Sequence, residues 1–519
     1  MRRGRCRTGA GAVRPVGMSC SFRAVGTLAR QTSWIAVLTA MGLALGFLNM
    51  SVLYPRYLQS AEFGLTRLVV SIAIVAAQVA HLGLESTVIR YFPYFRDRER
   101  RHKGLFRVVL VIGGLGAVVA MLVLLLFHDR FAVWFNDKSG LYGSYGLVVL
   151  PLLLAEVFFL LLRGFSRAVH RSIAPVLLRE FILRLLQTVL IVLHACFALP
   201  FHVFLGAFTG TFVITAVALV VDLWRSGEFG FGRVRVRVPR RMSRSMARYS
   251  VITLSVGVAG VAAGNVDQMM IAAMLPEGLE HVAHYAVAMF LASVIMVPSR
   301  AMVQPALPLL AEAWRRRDTP HIGALNRNST TVLITIGLYV ALCLLLAKDA
   351  IYAVMPEEYA GGRRSLMILC GANLVNLAGG LGGSIISTSR RYAFDASSGL
   401  LYLGLNVVLD YVFIRWWGMD GAAWSSLVTM LVVVAWRAAF LWTRFRLWAY
   451  DARAFGKLAL ATAVCAGVWL IPSAGNIWAD AGLRCAVVTL VYWTLVFRTR
   501  VSPDLRAQFR KIVAVVRRR

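Results

Sequence analysis

Apolar residues run along this chain in blocks of about 17–25, the length that carries a helix across a bilayer core. "LVVSIAIVAAQVAHLGL" and "FVITAVALVVDLW" are two such blocks. Breaks marked by charge, Pro or Gly divide the pattern into fourteen predicted spans. They lie near 32–53, 65–88, 104–127, 143–162, 174–194, 203–224, 250–274, 283–307, 328–347, 365–387, 397–414, 420–442, 458–472 and 480–497. The thirteenth is short. The fold expected is therefore all-α, a polytopic integral membrane protein of about 14 transmembrane helices.

Two stretches repeat at an offset of 221 residues. In "LYPRYLQSAEFG", Pro55 closes span one and Gly64 opens span two; in "MLPEGLEHVAHY", Pro276 closes span seven and Tyr285 opens span eight. The same offset pairs Arg96 with Arg317. Six spans separate the copies, so both halves share one orientation, a parallel repeat about the membrane normal. The expected organisation is a basic N-terminus (1–31), a lobe of helices 1–6 (32–224), a basic linker (225–249), a lobe of helices 7–12 (250–442), an appended helix pair (443–497) and a basic tail (498–519). "RVRVRV" in the linker is expected to be interfacial. In the tail, Leu505, Phe509, Ile512, Val513 and Val516 share one face, as in an amphipathic helix lying on a membrane.

Composition agrees: 59% of residues are hydrophobic, against 45–50% in an average soluble domain. The net charge of +32 raises the question of nucleic acid. Its placement answers it. Of 56 Lys and Arg, 43 fall on alternate connections beginning with the N-terminus, nine on the other side and four within spans. This is the positive-inside distribution of a membrane protein with both termini cytoplasmic. The expected electrostatic partner is anionic inner-leaflet lipid, not nucleic acid. The basic segment before residue 32 reads as a retained signal-anchor. The seven cysteines form no CxxC and read as small buried hydrophobes.

Ionisable groups inside spans are functional candidates by default. The acids are Glu85, Glu156, Glu180, Asp222, Asp267 and Asp410; the bases are Arg107, Arg184, Arg300 and Arg437. Glu180 and Arg184, four residues apart, are expected to neutralise each other. Asp222 and Arg107 lie near the inner surface and can snorkel. Asp267, flanked by Asn265 and Gln268, lies about 10 Å below the outer surface, and Arg300 about 25 Å down. A direct Asp267–Arg300 pair is therefore not expected. Glu85 lies about 9 Å deeper than Arg300, an offset that an arginine side chain nearly covers. Glu85–Arg300 is thus the candidate inter-lobe gate. Pro298, Pro305 and Pro308 predict a kinked or interrupted span eight, either a plain packing kink or a mobile helix lining a wet cavity. No HExxH, GxSxG or phosphate-binding loop occurs, so no enzyme, cofactor or metal is expected.

Three stretches resemble a known family. "GLESTVIRYFPYFRDRERR" is similar to the end of span two in bacterial polysaccharide (O-antigen-type) flippases. "NVDQMMIAAMLPEGLEHVAHYAVAMFLASVIMVPSRAMVQPALPLLAEAW" resembles their spans seven and eight, and "WGMDGAAWSSLVTM" the opening of their span twelve. The resemblance implies the polysaccharide branch of the multidrug/oligosaccharidyl-lipid/polysaccharide exporter superfamily. That implies two six-helix lobes around a cavity lined by spans one, two, seven and eight. The implied activity is movement of undecaprenyl-pyrophosphate-linked glycan from the cytoplasmic to the periplasmic leaflet of the bacterial inner membrane, by alternating access. Span one carries no internal arginine, unlike the branch that flips the peptidoglycan precursor.

On this reading the lipid-linked oligosaccharide is held by Arg300, Arg90, Asn49 and Gln304. Asp267, Asn265 and Gln268 are the coupling residues, for H+ or Na+. Other glycan-assembly membrane proteins are candidate partners. The alternatives are a multidrug/cation antiporter of the same superfamily and a membrane-embedded enzyme of the glycan pathway.

Overall fold

The computed structural model describes residues 34–35, 37–97, 104–135, 140–227, 239–262, 264–470 and 475–499. The expected basic N-terminus, the "RVRVRV" segment and the tail helix lie outside the described residues.

Among the described residues, every predicted span is mainly helical. We number them α1 (Val37–Tyr57), α2 (Ser60–Phe95), α3 (Leu105–Leu126), α4 (Leu141–Ala168), α5 (173–197), α6 (Phe201–Arg225) and α7 (Arg240–Ala262, then Val266–Met274). There follow α8 (Gly278–Val303, continued to Arg316), α9 (Thr319–Ala353), α10 (Glu357–Ala378 and Gly382–Thr388, bent by 46°), α11 (Ala393–Trp417), α12 (Met419–Phe445), α13 (Ala452–Ala466) and α14 (Ile477–Arg498). Among the described residues, eleven of these are long and apolar enough to cross a membrane, and the bent α10 makes twelve. The count of fourteen crossings is thus not reached. Helix α13 has only 15 residues. Helix α5 carries Arg179, Glu180 and Arg184 in and beside a π-wound stretch, Leu177–Ile182.

Three boundaries differ from expectation for physical reasons. The last ten residues of the expected linker are the start of α7, because Arg, Met and Ala sustain a helix beyond the apolar block. Helix α2 breaks at His81–Gly83, where Leu82 (φ 53°) and Gly83 (φ 69°) turn left-handed. Helix α8 does not stop at its prolines. A 3₁₀ turn at Val294–Met296 precedes a new helical start that takes Pro298 in its first turn, where a missing N–H costs nothing.

In the first half α2 packs on α3 and α4, and in the second α10, α11 and α12 pack on one another. Helices α13 and α14 pack together and against α9. The halves meet where α2 lies along α8 and α7. At the end away from the basic loops the core is continuous across both halves, from Phe63 and Phe208 to Tyr285 and Leu291. Val111, Leu115, Val118 and Leu122 form an exposed apolar stripe on α3. Such a face is stable only against hydrocarbon, so this is a multi-pass membrane protein.

Candidate functional site

Two chambers share Gly264 and Met289, one between the halves and one within the second half. One chamber lies mainly against α1, α2 and α5, the other against α10, α11 and α12. The break in α7 at Gly264–Asn265 sits between them and sends consecutive side chains in different directions.

Asp267 turns into the second half. Its Oδ2 accepts hydrogen bonds from Tyr285 Oη at 2.6 Å and Ser426 Oγ at 2.8 Å. Its carboxyl also meets that of Asp410 on α11, with Asn406 one turn earlier. Asp267 is 2% exposed and Asp410 0%. Asp267 Oδ1, both Asp410 oxygens and Asn406 Oδ1 are buried and accept no hydrogen bond. Two carboxylates at this spacing repel, so the pair suits a proton or a cation held between them. The oxygen-only surroundings favour a hard cation. Among the described residues there is no grouping of three or more His, Cys, Asp or Glu side chains that could hold a metal.

The other two expected coupling residues do not join this cluster. Gln268 points across to the first half, where its Oε1 accepts from Ser71 Oγ at 3.2 Å. Asn265 Nδ2 donates to Val261 O at 2.7 Å, a carbonyl that also accepts from Gly264 N at the break in α7. Neighbours in a helix point about 100° apart, which is enough to divide them.

Arg300 lines the same chamber as Asp267 and makes no ion pair among the described residues. As expected, Asp267 and Arg300 are not bonded to each other. Arg300 lies within electrostatic range of Arg184 on α5. The Glu180–Arg184 pair forms at 3.1 Å, yet Arg184 also donates to Gly42 O and reaches the cavity wall. Asn49, 2% exposed, is fully engaged: Nδ2 donates to Arg184 O at 3.0 Å and Oδ1 accepts from Thr188 at 2.8 Å. It fastens the π-wound turn of α1 to α5. The side chain of Gln304 lies outside the described residues.

The end bearing the basic loops has its own geometry, and it corrects the expected Glu85–Arg300 gate. Glu85 is bidentate to Arg163 of α4, at 2.7 Å twice, with Arg167 at 3.4 Å. A planar guanidinium one helix away satisfies the carboxylate better than a partner in the other half. The halves are joined instead by α2 and α7. Ser250 Oγ donates to Leu82 O at 2.6 Å, taking up a carbonyl exposed by the break in α2, and Thr253 Oγ1, with Tyr249 O and Ser250 O each at 3.0 Å, lies 3.3 Å from Gly83 O. Tyr91 Oη and Ser245 Oγ lie 2.8 Å apart. Arg90, exposed, stacks on Tyr249 at 4.3 Å. Arg90, Arg163 and Arg167 line one chamber there with His81 and Glu85.

Sequence reasoning named Asp410 as an acid within a span but did not join it to Asp267. The signal was present: "NVVLD" places Asn406 and Asp410 on one helix face. Tyr285, Ser426 and Ser250 gave no signal, because hydroxyls are ordinary in membrane helices.

No curated protein matches the sequence. Among solved structures, the lipid II flippase MurJ in an inward-closed conformation superposes with a TM-score of 0.71 at 10% identity, covering 90% of this chain and 99% of that one. An inward-facing multidrug resistance MATE transporter of the MOP superfamily gives 0.59 at 16% identity, covering 79% and 94%. A Vibrio cholerae MATE transporter, VcmN, gives 0.54 at 15%, covering 82% and 97%. At these identities the likeness shows a shared fold. The family model for polysaccharide biosynthesis protein matches residues 28–314, more than half of the sequence. This chain belongs to the polysaccharide biosynthesis protein family.

Proposed function

We propose that the chain is a flippase for lipid-linked oligosaccharide, moving undecaprenyl-pyrophosphate-linked glycan from the cytoplasmic to the periplasmic leaflet of the bacterial inner membrane by alternating access. The observation that carries this reading is a chamber of the second half, joined at Gly264 and Met289 to one between the halves, whose wall holds Arg300, without an ion pair among the described residues, and Asp267 of a buried carboxyl pair. An anionic head group needs the first, and a driving ion needs the second. The family match and the flippase-like fold agree with it.

On this reading the basic loops face the cytoplasm. Arg90, Arg163 and Arg167 receive the pyrophosphate from the inner leaflet, and Arg300 takes it deeper. Arginine suits both steps, since its planar fork gives two parallel hydrogen bonds to a phosphate. The α2–α7 contact through Ser250 and Thr253 closes the cytoplasmic side. Binding of H+ or Na+ between Asp267 and Asp410 draws α7 toward α11 and α12. Because α7 also carries Ser250 and Thr253, the ion biases the closure without touching the substrate.

The test is leaflet transfer in proteoliposomes, using a fluorescent short-chain pyrophosphate lipid bearing a trisaccharide and an ion gradient of either sign. Transfer that follows the gradient and falls at least tenfold in Arg300→Gln supports the reading. Absence of transfer, with extrusion of cationic dyes, would establish the second reading, a cation antiporter; the MATE-like fold speaks for that alternative.

A further inference from the structure

Helix α2 carries one more arginine, Arg67, on the wall of the chamber that lies against α1, α2 and α5. Its guanidinium is caged by three rings: Tyr54 at 5.5 Å, Phe63 at 5.6 Å and Phe208 at 5.8 Å. Nη1 reaches only the sulfur of Met50, at 3.7 Å. Nε and Nη2 are buried and donate to nothing. Beside it the hydroxyl of Tyr54, a residue 1% exposed, is buried with no partner. No acid lines this chamber; its polar lining is Arg67, Arg184, Ser71, Ser293 and the amides of Asn49, Gln187, Asn265 and Gln268. The neighbouring chamber holds Asp267.

An uncompensated guanidinium within a membrane span is costly, and cation–π contacts recover only about 0.5–2 kcal/mol of that. The cage fixes the position of the charge without neutralising it. A guanidinium with free N–H groups beside a free phenol hydroxyl is a donor set for one oxyanion. Depth indicates which oxyanion. Gly64 lies against Leu279, so α2 and α8 are level there. Arg67 is three residues beyond Gly64 and Arg300 is 21 beyond Leu279, about 25 Å apart along the helices. With a pyrophosphate at Arg300, an anion at Arg67 belongs to the glycan, several sugars away.

We propose that Arg67 and Tyr54 form a subsite for the carboxylate of an acidic sugar, so that the glycan carried by this chain contains a uronate-type residue. This rests on the flippase reading for its transport role but not for binding. Two measurements separate them. In the first, purified full-length protein in detergent is heated with a lipid-free tetrasaccharide containing one hexuronate, or with its neutral hexose counterpart. The acidic sugar raises Tm in the wild type and in Arg67→Lys more than the neutral one does, and the difference disappears in Arg67→Gln. Equal shifts by both sugars, no shift, or an unchanged difference in Arg67→Gln overturns the subsite, whatever the transport result. In the second, pyrophosphate lipids bearing the two sugars are compared in leaflet transfer. The wild type moves the acidic lipid at least tenfold faster, and Arg67→Gln and Tyr54→Phe lose that preference while still moving the neutral lipid. Equal losses on both lipids place the arginine at the pyrophosphate or in the fold instead, and also overturn the proposal. If the wild type moves neither lipid while the Tm difference stands, the flippase reading fails and the subsite survives.

Discussion

Asp267 on α7 and Asp410 on α11 face each other inside the second half, and only one of their four carboxyl oxygens accepts a hydrogen bond. Loss of either acid removes a charged ligand, worth about 1.5–3 kcal/mol, or roughly 10- to 150-fold in cation affinity. Asp267→Asn and Asp410→Asn are therefore expected to uncouple transfer from the ion gradient. Tyr285→Phe keeps both charges and should shift the half-saturating ion concentration only a few-fold. Transfer rates against Na+ and pH in proteoliposomes decide this. An unchanged ion dependence in Asp410→Asn would remove the pair from the mechanism.

Glu85 is 12% exposed at its side chain and Arg163 31%. Glu85→Gln leaves two arginines facing each other beside His81. Breaking a buried pair costs about 3–5 kcal/mol, and partial exposure here puts the expected loss at the lower end. Unfolding in denaturant should show it, and Glu85→Gln combined with Arg163→Gln should recover part of it. A double-mutant cycle between Glu85 and Arg300 should give a coupling within about 0.5 kcal/mol of zero.

The latch at the basic end is one hydroxyl-to-carbonyl bond, Ser250 to Leu82, with Thr253 close beside Gly83 O. Such a bond is worth about 0.5–1.5 kcal/mol, so Ser250→Ala should move the open–closed balance by roughly two- to 12-fold toward open. Spin labels at positions 94 and 241 should then report a longer mean distance. An unaltered distance distribution would mean that other contacts hold the halves together.

Gly64 has no room for a β-carbon, since the Leu279 backbone occupies the space. Gly64→Ala is expected to part α2 from α8 at the outer end and to slow transfer at least tenfold. Gly114, on α3, has no atoms around its missing β-carbon, and Gly114→Ala should change nothing measurable.

How much was legible follows from length scale. Apolar blocks of bilayer length located the helices, because hydrocarbon tolerates little else. They did not show how α5 accommodates its charges, which are answered from other helices: Glu156 holds Arg179, and Gly42 O takes Arg184. Depth along a helix was readable from residue counts, so the absence of an Asp267–Arg300 bond was foreseen. Azimuth was not. A single residue of slip around a helix sent Gln268 to Ser71 and Asp267 to Ser426, and the break at 264–265 that sets this slip has no apolar signature. Glu85 shows the same limit: its depth allowed Arg300, and a nearer guanidinium on α4 took it.

The left-handed Leu82 has a consequence for motion. A non-glycine residue in that conformation costs about 1–2 kcal/mol, held here by the hydroxyls that α7 supplies. The outer segment of α2 packs on α8 and α7 and the inner segment on α4 and α7, with the joint at Leu82 between them. When Ser250 leaves, the joint loses its reason to stay wound the wrong way and can relax toward ordinary helix, straightening α2. The helix would then work as a folded lever, with its spring set at residue 82, storing at one end of the membrane part of the energy released when that end opens.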